Sequence, residues 1–330
     1  MNIDKFPRHA LQTLAELASP AVDLYAEHPD GSGLRRLSYS FGGDKRGLCL
    51  APDGQSVLYL QDGGIVLHAL DSHREVTLLV GNRETGYYVR DCHFTPDGKR
   101  LLFAAFHAGS MAILRMDLDS QQIHPLIQQG GQFALLPEGK GIVYAAGGGR
   151  WNSYGTLYQA DAEGGNRHRL PVAGNRLSGL RCSANGALLL ANLQYYVPTP
   201  TGMNQKSAIV SYVLAGDDAG KCYETPAEQR TASLTEKHLE DVSPDGQTIL
   251  FSVPGVKADY RLMHYDLTGE RPVPAPSDAQ HFRFAPDGTH LLFELGDATF
   301  ALTLDTFTIS PSPPVPALLT PDGKYTLCLQ

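Results

Sequence analysis

Short stretches of alternating apolar and polar residues recur along the whole chain, and each one follows a tight-turn signal. The stretch PDGKRLLFAAF at 96–106 is typical, because Pro and Gly set the turn and the next residues alternate as in a half-buried strand. Pro fixes φ at the first corner, and Gly takes the positive φ that closes a hairpin. Seven such phrases occur, at 50–60, 94–104, 135–145, 182–192, 242–252, 284–294 and 319–329.

A second hairpin follows most of these phrases, as at 63–80, 111–127 and 260–275. Each repeat is therefore predicted to form four antiparallel strands. A four-stranded unit of this length cannot bury both of its faces alone, but radial stacking of the units into a closed ring buries them. The repeats therefore predict an all-β fold, a β-propeller.

The two ends of the chain complete the predicted ring. Residues 315–330 have the pattern of the first two strands of a unit, and residues 22–39 have that of the missing last hairpin. We expect these segments to form one composite blade of two plus two strands. With six complete units from about 40 to 312, the prediction is a single domain over 1–330 with seven blades. Apolar residues at helical spacing predict a short N-terminal helix within 1–20.

Composition narrows the possible partners. The 330 residues include 42% hydrophobic ones and carry a net charge of −8 with pI near 5.8, which favours a large core and argues against nucleic-acid partners. The start lacks the form of a signal peptide and no stretch is long and apolar enough for a bilayer, so we expect a cytoplasmic monomer without membrane insertion. A processed start would instead allow a secreted or periplasmic protein. Five cysteines without a CxxC pair fit a reducing compartment.

The repeats resemble a known family. FTPDGKRLLFAAF with the later LRMDL, and VSPDGQTILFS with the later MHYDLTGE, are similar to the propeller repeats of TolB. Related repeats occur in prolyl oligopeptidase-type peptidases and in oligogalacturonate lyase. The resemblance implies the propeller fold, while the family's functions range from binding scaffolds to a lyase. The chain has no GxSxG elbow, so serine peptidase activity is not expected.

Two columns of polar residues are found when the seven phrases are aligned on their turns. The first polar column stands six places before the Pro position, at Arg46, Arg90, Gly131, Ser178, His238, Gln280 and Val315. The second polar column stands three places before it, at Cys49, His93, Ala134, Arg181, Asp241, Arg283 and Leu318. Asp241 between two arginines is typical of a structural ion-pair network. Alternatively, the surplus positive charge of Arg46, Arg90, Arg181 and Arg283 binds an anionic group.

Two long connections provide a second candidate site. The segments 145–158 and 192–212 are predicted to join the second and third strands of neighbouring blades, and so to lie on one face. We expect an aromatic platform there for a sugar or a peptide, formed by Trp151, Tyr154, Tyr195 and Tyr196 with Arg150 beside them. The alternative is that these rings pack on one another and stiffen the two loops.

The resemblance to oligogalacturonate lyase also implies a metal. That family holds a divalent ion such as Mn with a Gln and several His residues before the turn. The matching positions here are His238, Gln280 and His281, with His93 as a further candidate, although the family's clustered ligands are reduced to a single Gln-His dipeptide. The sequence therefore favours a non-catalytic module without a cofactor that binds a protein or carbohydrate on its loop-rich face. A metal-dependent lyase is the alternative.

Overall fold

The structure is a computed structural model in which the residues described are almost entirely β-strand and turn. It describes residues 24–27, 35–37, 45–72, 74–82, 84–146, 155–199, 202–225, 228–229, 237–253, 259–285, 287–295, 298–311, 318–319 and 326–329. Within these ranges the only helical element is a 3-10 turn at Pro137–Gly139. No helix among the described residues has the length and apolar character needed to cross a bilayer.

Twenty-nine strands follow one another in these residues. They are β1 Leu24–Glu27, β2 Arg35–Arg36, β3 Lys45–Leu50, β4 Ser56–Gln61, β5 Gly64–Ala69, β6 Glu75–Leu79, β7 Tyr88–Phe94, β8 Arg100–His107, β9 Ser110–Asp117, β10 Ile123–Gln128, β11 Gly130–Leu136, β12 Gly141–Ala146, β13 Thr156–Ala160, β14 His168–Ala173, β15 Arg176–Cys182, β16 Leu188–Thr199, β17 Gly202–Val213, β18 Cys222–Glu224, β19 Glu228–Gln229, β20 His238–Val242, β21 Thr248–Val253, β22 Asp259–His264, β23 Arg271–Pro272, β24 Gln280–Phe284, β25 His290–Leu295, β26 Ala298–Thr303, β27 Ile309–Pro311, β28 Leu318–Leu319 and β29 Thr326–Leu329.

Consecutive strands form six blades, in which the order of the strands across the sheet follows the chain. The blades are β3 to β6, β7 to β10, β11 to β14, β15 to β18, β20 to β23 and β24 to β27, and the short strand β19 also pairs with β17. The predicted all-β propeller with four antiparallel strands per blade is confirmed.

The predicted number of seven blades is wrong, because the described strands form six complete blades. The terminal strands pair with one another, Leu24 with Leu329 and Glu27 with Thr326, in the smaller sheet β2-β1-β29-β28. None of its strands exceeds 4 residues, whereas each of the six blades contains a strand of at least 6. The turn phrase at 319–329 resembles the others in sequence but is flanked by much shorter strands. The helix predicted within 1–20 lies outside the described residues.

The chain divides into two compact units. Unit 1 comprises 1–94 with 316–330, and unit 2 comprises 95–315. In unit 2 the faces of successive sheets pack on each other, as where Leu102 and Ile113 meet Phe133. The core of unit 1 includes Val57 and Tyr59, which are fully buried. Consecutive apolar residues in the central strands, as from Val57 to Leu60, therefore supply side chains to both faces of a blade.

The predicted turns have the expected geometry. In five phrases the side-chain oxygen of Asp or Asn accepts the N–H of the residue two places later, at distances between 2.9 and 3.1 Å: Asp53 from Gln55, Asp97 from Lys99, Asn185 from Ala187, Asp245 from Gln247 and Asp287 from Thr289. The glycine that follows has positive φ, as at Gly98 with 66° and Gly186 with 70°. Such turns fix where each inner strand ends, and therefore where the polar columns lie.

Candidate functional site

A β-bulge separates the two polar columns in four blades. The register of the first strand against the second shifts between Arg46 and Cys49, between Ser178 and Arg181, between Leu239 and Asp241, and between Gln280 and Arg283. A bulge inserts one extra residue and redirects the side chain that follows it. The second polar column is therefore aimed by a feature of the backbone that recurs from blade to blade.

In unit 2 the second polar column forms a charge network. Asp241 Oδ2 accepts the backbone N–H of Phe284 at 2.8 Å, and Arg181 and Arg283 attract the carboxylate. Burial raises the pKa of Asp241 above its usual value even though these partners favour the ionised form. Burial also lowers the pKa of Arg283, against the attraction of Glu294 and Asp241. The carboxylate therefore joins neighbouring blades through the Phe284 N–H, and the ion-pair network stays a prediction.

The two remaining arginine candidates lie in unit 1. Arg90 is exposed, and its guanidinium carbon lies 4.7 Å from the centroid of the Tyr88 ring, a cation–π distance. Arg46 is half-buried and pairs in register with Leu60. Both arginines lie on the first strand of a blade, as the alignment of the turn phrases predicted. Anion binding by them stays a prediction.

The fourth blade along the chain, β15 to β18, lies in unit 2. Its central hairpin, β16 with β17, is unusually long. Each strand has 12 residues, whereas the longest strands of the other blades have 8. Among the described residues β15 pairs with β16 only as far as Gln194, and β19 pairs with β17 at Lys206 and Ser207. The remaining four pairs, from Tyr196 with Gln205 to Thr199 with Gly202, form a two-stranded extension that we call the arm. At about 3.3 Å per residue the arm projects by about 13 Å.

The two tyrosines at the base of the arm have different environments. Tyr195 packs against the core of its blade and its hydroxyl donates to Glu224 Oε1 at 2.9 Å. Burial, followed by that hydrogen bond, raises the pKa of Tyr195. Tyr196 is 41% exposed, and its backbone N–H donates to Asn175 Oδ1 at 2.7 Å. Successive strand residues point to opposite faces, so these two rings do not share one platform.

The other members of the predicted platform, Arg150, Trp151 and Tyr154, lie outside the described residues. The predicted metal ligands lie in unit 2, where His238 pairs in register with Ser252 and Gln280 with Glu294, and both are exposed. His281 lies in β24. No three His, Cys, Asp or Glu side chains in the described part of the chain are arranged to hold a metal ion. The side chain of His281 lies outside those that the structure describes, and metal binding by His238, Gln280 and His281 stays a prediction.

A groove of about 390 Å³ lies at the opposite end of the long hairpin. It is lined by Leu188 and Val213, by the turn that contains Asp218, and by Tyr265. Asp218 accepts hydrogen bonds from Lys221 at 2.6 Å and from the Tyr265 hydroxyl at 2.9 Å. Sequence reasoning missed this groove because its lining comes from turns of two blades with no shared motif.

Comparison with known structures places the chain among β-propellers. Solved structures with this fold include an oligogalacturonate lyase from Vibrio parahaemolyticus (TM-score 0.59, 10% identity, 84% of this chain and 80% of that one). A second is an oligogalacturonate lyase in complex with manganese (TM-score 0.56, 14% identity, 79% and 76%). A third is a putative TolB from Agrobacterium tumefaciens (TM-score 0.53, 15% identity, 94% and 98%).

These similarities confirm the predicted resemblance to the TolB and oligogalacturonate lyase propellers. No protein-family model matches the chain, and no curated protein matches it in sequence. At identities of 10 to 15% the likeness shows a shared fold and nothing more about activity.

Proposed function

We propose that this propeller is a non-catalytic binding module whose arm, with Tyr196 at its base, captures an extended segment of a partner protein. The observation that carries this proposal is that four strand pairs of the arm extend beyond the neighbouring strands that the structure describes. A strand edge without a neighbour offers backbone N–H and C=O groups to an added strand. An exposed tyrosine beside that edge adds a large contact area at low entropic cost.

The base of the arm is held in place before any ligand arrives. Asn175 bonds to the backbone on both sides of Tyr195, since its N–H donates to Gln194 O at 2.8 Å and its side chain accepts from Tyr196 N. The hydrogen bond from Tyr195 to Glu224 fixes the opposite face. A rigid base lowers the ordering cost of binding, which favours capture of a flexible peptide.

The test uses two tyrosines with equal exposure. Tyr196 is 41% exposed and Tyr88 is 42% exposed, so Tyr88→Ala controls for loss of a surface ring. Binding to arrays of seven-residue peptides and of oligosaccharides is measured for the intact chain and for both variants. We expect peptide capture, with Tyr196→Ala weakening it about tenfold, equivalent to about 1.4 kcal/mol, and Tyr88→Ala leaving it unchanged.

Equal weakening by both variants would contradict the proposal. Capture of oligosaccharides alone would mean that the arm binds a carbohydrate, the other ligand class expected from the sequence.

We further propose that this binding needs no metal, because no three His, Cys, Asp or Glu side chains among the described residues are arranged to hold one. Metal content is measured by mass spectrometry on untagged protein and on a His238→Ala, His281→Ala double variant. Near-stoichiometric manganese, calcium or zinc that is lost in the double variant would contradict this proposal and favour the lyase alternative.

A further inference from the structure

A cysteine, a histidine and an aspartate meet in unit 1. Cys49 lies on β3, and Asp91 and His93 lie on β7, which packs against β3. The imidazole Nε2 of His93 is 3.0 Å from Asp91 Oδ1, and the same ring is hydrogen-bonded to the side chain of Cys49. The imidazole therefore contacts both a thiol and a carboxylate, the groups that act as nucleophile and orienting residue around the base in acyl-transfer sites.

A bulge in the backbone just before Cys49 orients its thiol toward the imidazole of His93. The bulge in β3 lies between Arg46 and Cys49, and Gly47 within it has a φ of 66°. Cys49 is half-buried and the His93 side chain is 40% exposed, so a small ligand has access to the pair. The competing hydrogen bond from Cys49 Sγ to Leu50 O is long, at 3.8 Å.

The electrostatics favour a charged imidazole. Burial lowers the pKa of His93, but hydrogen bonds to Asp91 and Cys49 outweigh it and raise the pKa to about 10. His93 is therefore an imidazolium at neutral pH, the partner that makes a neighbouring thiol nucleophilic. Cys92 lies beside Cys49 and Asp91, and no titratable group of β4 or β5 is among those that shift His93.

The other described thiols contrast with Cys49, because none of them is hydrogen-bonded to a histidine. Burial raises the pKa of Cys182 to about 11, and burial also raises that of the exposed Cys222, with a contribution from Glu224. Burial, Cys49 and Asp91 raise the pKa of Cys92. These three thiols are held in the unreactive protonated form.

We propose that Cys49 is a nucleophile that takes an acyl group from an activated ester or thioester, with His93 as its proton partner and Asp91 as the residue that orients the imidazole. The Cys49 sulfur bonds to the acyl carbon, the bond from that carbon to the leaving oxygen or sulfur breaks, and the leaving group takes the proton shared by Cys49 and His93. The product is a thioester on Cys49 beside a neutral His93. Water then attacks the thioester while His93 accepts its proton, which releases a carboxylic acid and restores the protonated pair of Cys49 and His93.

Two probes test the site in the intact chain. Iodoacetamide at pH 6 and pH 9, with peptide mass mapping, gives the alkylation rate of each cysteine, and Cys222 is the control because it is more exposed than Cys49. We expect Cys49 to react about tenfold faster than Cys222 at pH 6. p-Nitrophenyl acetate is expected to place an acetyl group on Cys49, and Cys49→Ser is expected to abolish this adduct.

Variants of the partners separate a chemical role from a structural one. His93→Gln should lower the Cys49 rate at pH 6 to that of Cys222 or below. Asp91→Asn should lower the rate at pH 6 and leave that at pH 9 within about twofold, a split that loss of folding would not produce. Circular dichroism checks the fold of each variant, and Asp91→Asn carries the test if His93→Gln unfolds.

Three results would overturn the proposal. They are faster alkylation of Cys222 than of Cys49 at pH 6, unchanged Cys49 reactivity in both partner variants, and, for a Cys49 that iodoacetamide does alkylate, neither an acetyl adduct nor a release of p-nitrophenolate that is lost in Cys49→Ser.

Discussion

The second polar column carries different chemistry in the two units, although the repeat places it identically. In unit 2, Arg181 and Arg283 attract the Asp241 carboxylate, and one of its oxygens accepts the N–H of Phe284 from the next blade. In unit 1, the column holds Cys49 and His93, and the carboxylate comes from Asp91, two residues earlier on the strand. The Asp241 side chain in unit 2 accepts a backbone N–H, whereas the Asp91 side chain in unit 1 contacts an imidazole that is hydrogen-bonded to a thiol. The repeat thus sets the position of the second polar column in each blade. The residue found there determines whether that position stabilises the fold or carries the group that we propose to be reactive.

The largest expected effect is on the network in unit 2. Asp241→Ala removes the acceptor of the Phe284 N–H and leaves Arg181 and Arg283 without the carboxylate between them. Leaving a buried backbone N–H without its acceptor costs about 1 to 3 kcal/mol, and we expect a loss near the upper end, about 3 kcal/mol, because Phe284 is buried. Urea denaturation measures the loss of the free energy of unfolding.

Asp241→Asn is the matched control for that change. The amide oxygen still accepts the Phe284 N–H, and burial already raises the pKa of Asp241, so removing the charge relieves part of a desolvation cost. We expect a loss below about 1 kcal/mol. If the Asn and Ala variants lose equal stability, attraction to the arginines rather than the backbone hydrogen bond is the dominant contribution.

The next largest effect on stability is expected at two glycines that occupy equivalent bulges. Gly179 in unit 2 has a φ of 62°, and an added Cβ would lie 2.9 Å from Asn192 Nδ2, while Asn192 Oδ1 accepts the N–H of Leu239. Gly47 in unit 1 has a φ of 66°, but the nearest neighbour of an added Cβ is Leu60 at 3.6 Å, an ordinary contact.

Gly179→Ala should therefore cost about 2 kcal/mol, from the left-handed backbone together with a disturbed hydrogen bond. Gly47→Ala should cost about 1 kcal/mol, from the backbone alone. Thermal and urea denaturation of the two variants under one set of conditions measure the difference. A larger loss at Gly47 would show that the bulge in unit 1 is the more constrained of the two.

The sequence alone predicted the parts of this molecule that depend on local chemistry. The Asp and Gly of each turn phrase form the expected turn, as at Asp97 and Gly98, because an Asx turn and a positive φ involve only neighbouring residues. The four strands of each blade follow from alternation in the same way. The predicted number of blades was wrong because the last phrase has the turn sequence but is flanked only by short strands.

The sites depended on information that a pattern of residues does not contain. The pairing of Cys49 with His93 requires the packing of β3 on β7 and a bulge in register, neither of which leaves a sequence signal. Asp91 would have been the best clue, since it stands two places before His93 on a predicted strand and therefore on the same face. The separation of Tyr195 from Tyr196 follows from the same alternation once 192–199 is recognised as strand rather than loop.

The smallest effect concerns the pH dependence of stability and tests whether His93 is charged. Its pKa in the folded protein is about 10, above the usual 6.5, so the stability from its bonds to Asp91 and Cys49 is fully present below about pH 6.5. That contribution is lost as pH rises through about 10, and His93→Gln should remove this part of the slope. Because the His93 side chain is 40% exposed, solvent screening keeps the difference below about 1 kcal/mol. Urea denaturation of both proteins at pH 6 and pH 10 measures it, and parallel losses in the two proteins would mean that His93 is neutral in the fold and that the thiol beside it has no cationic partner.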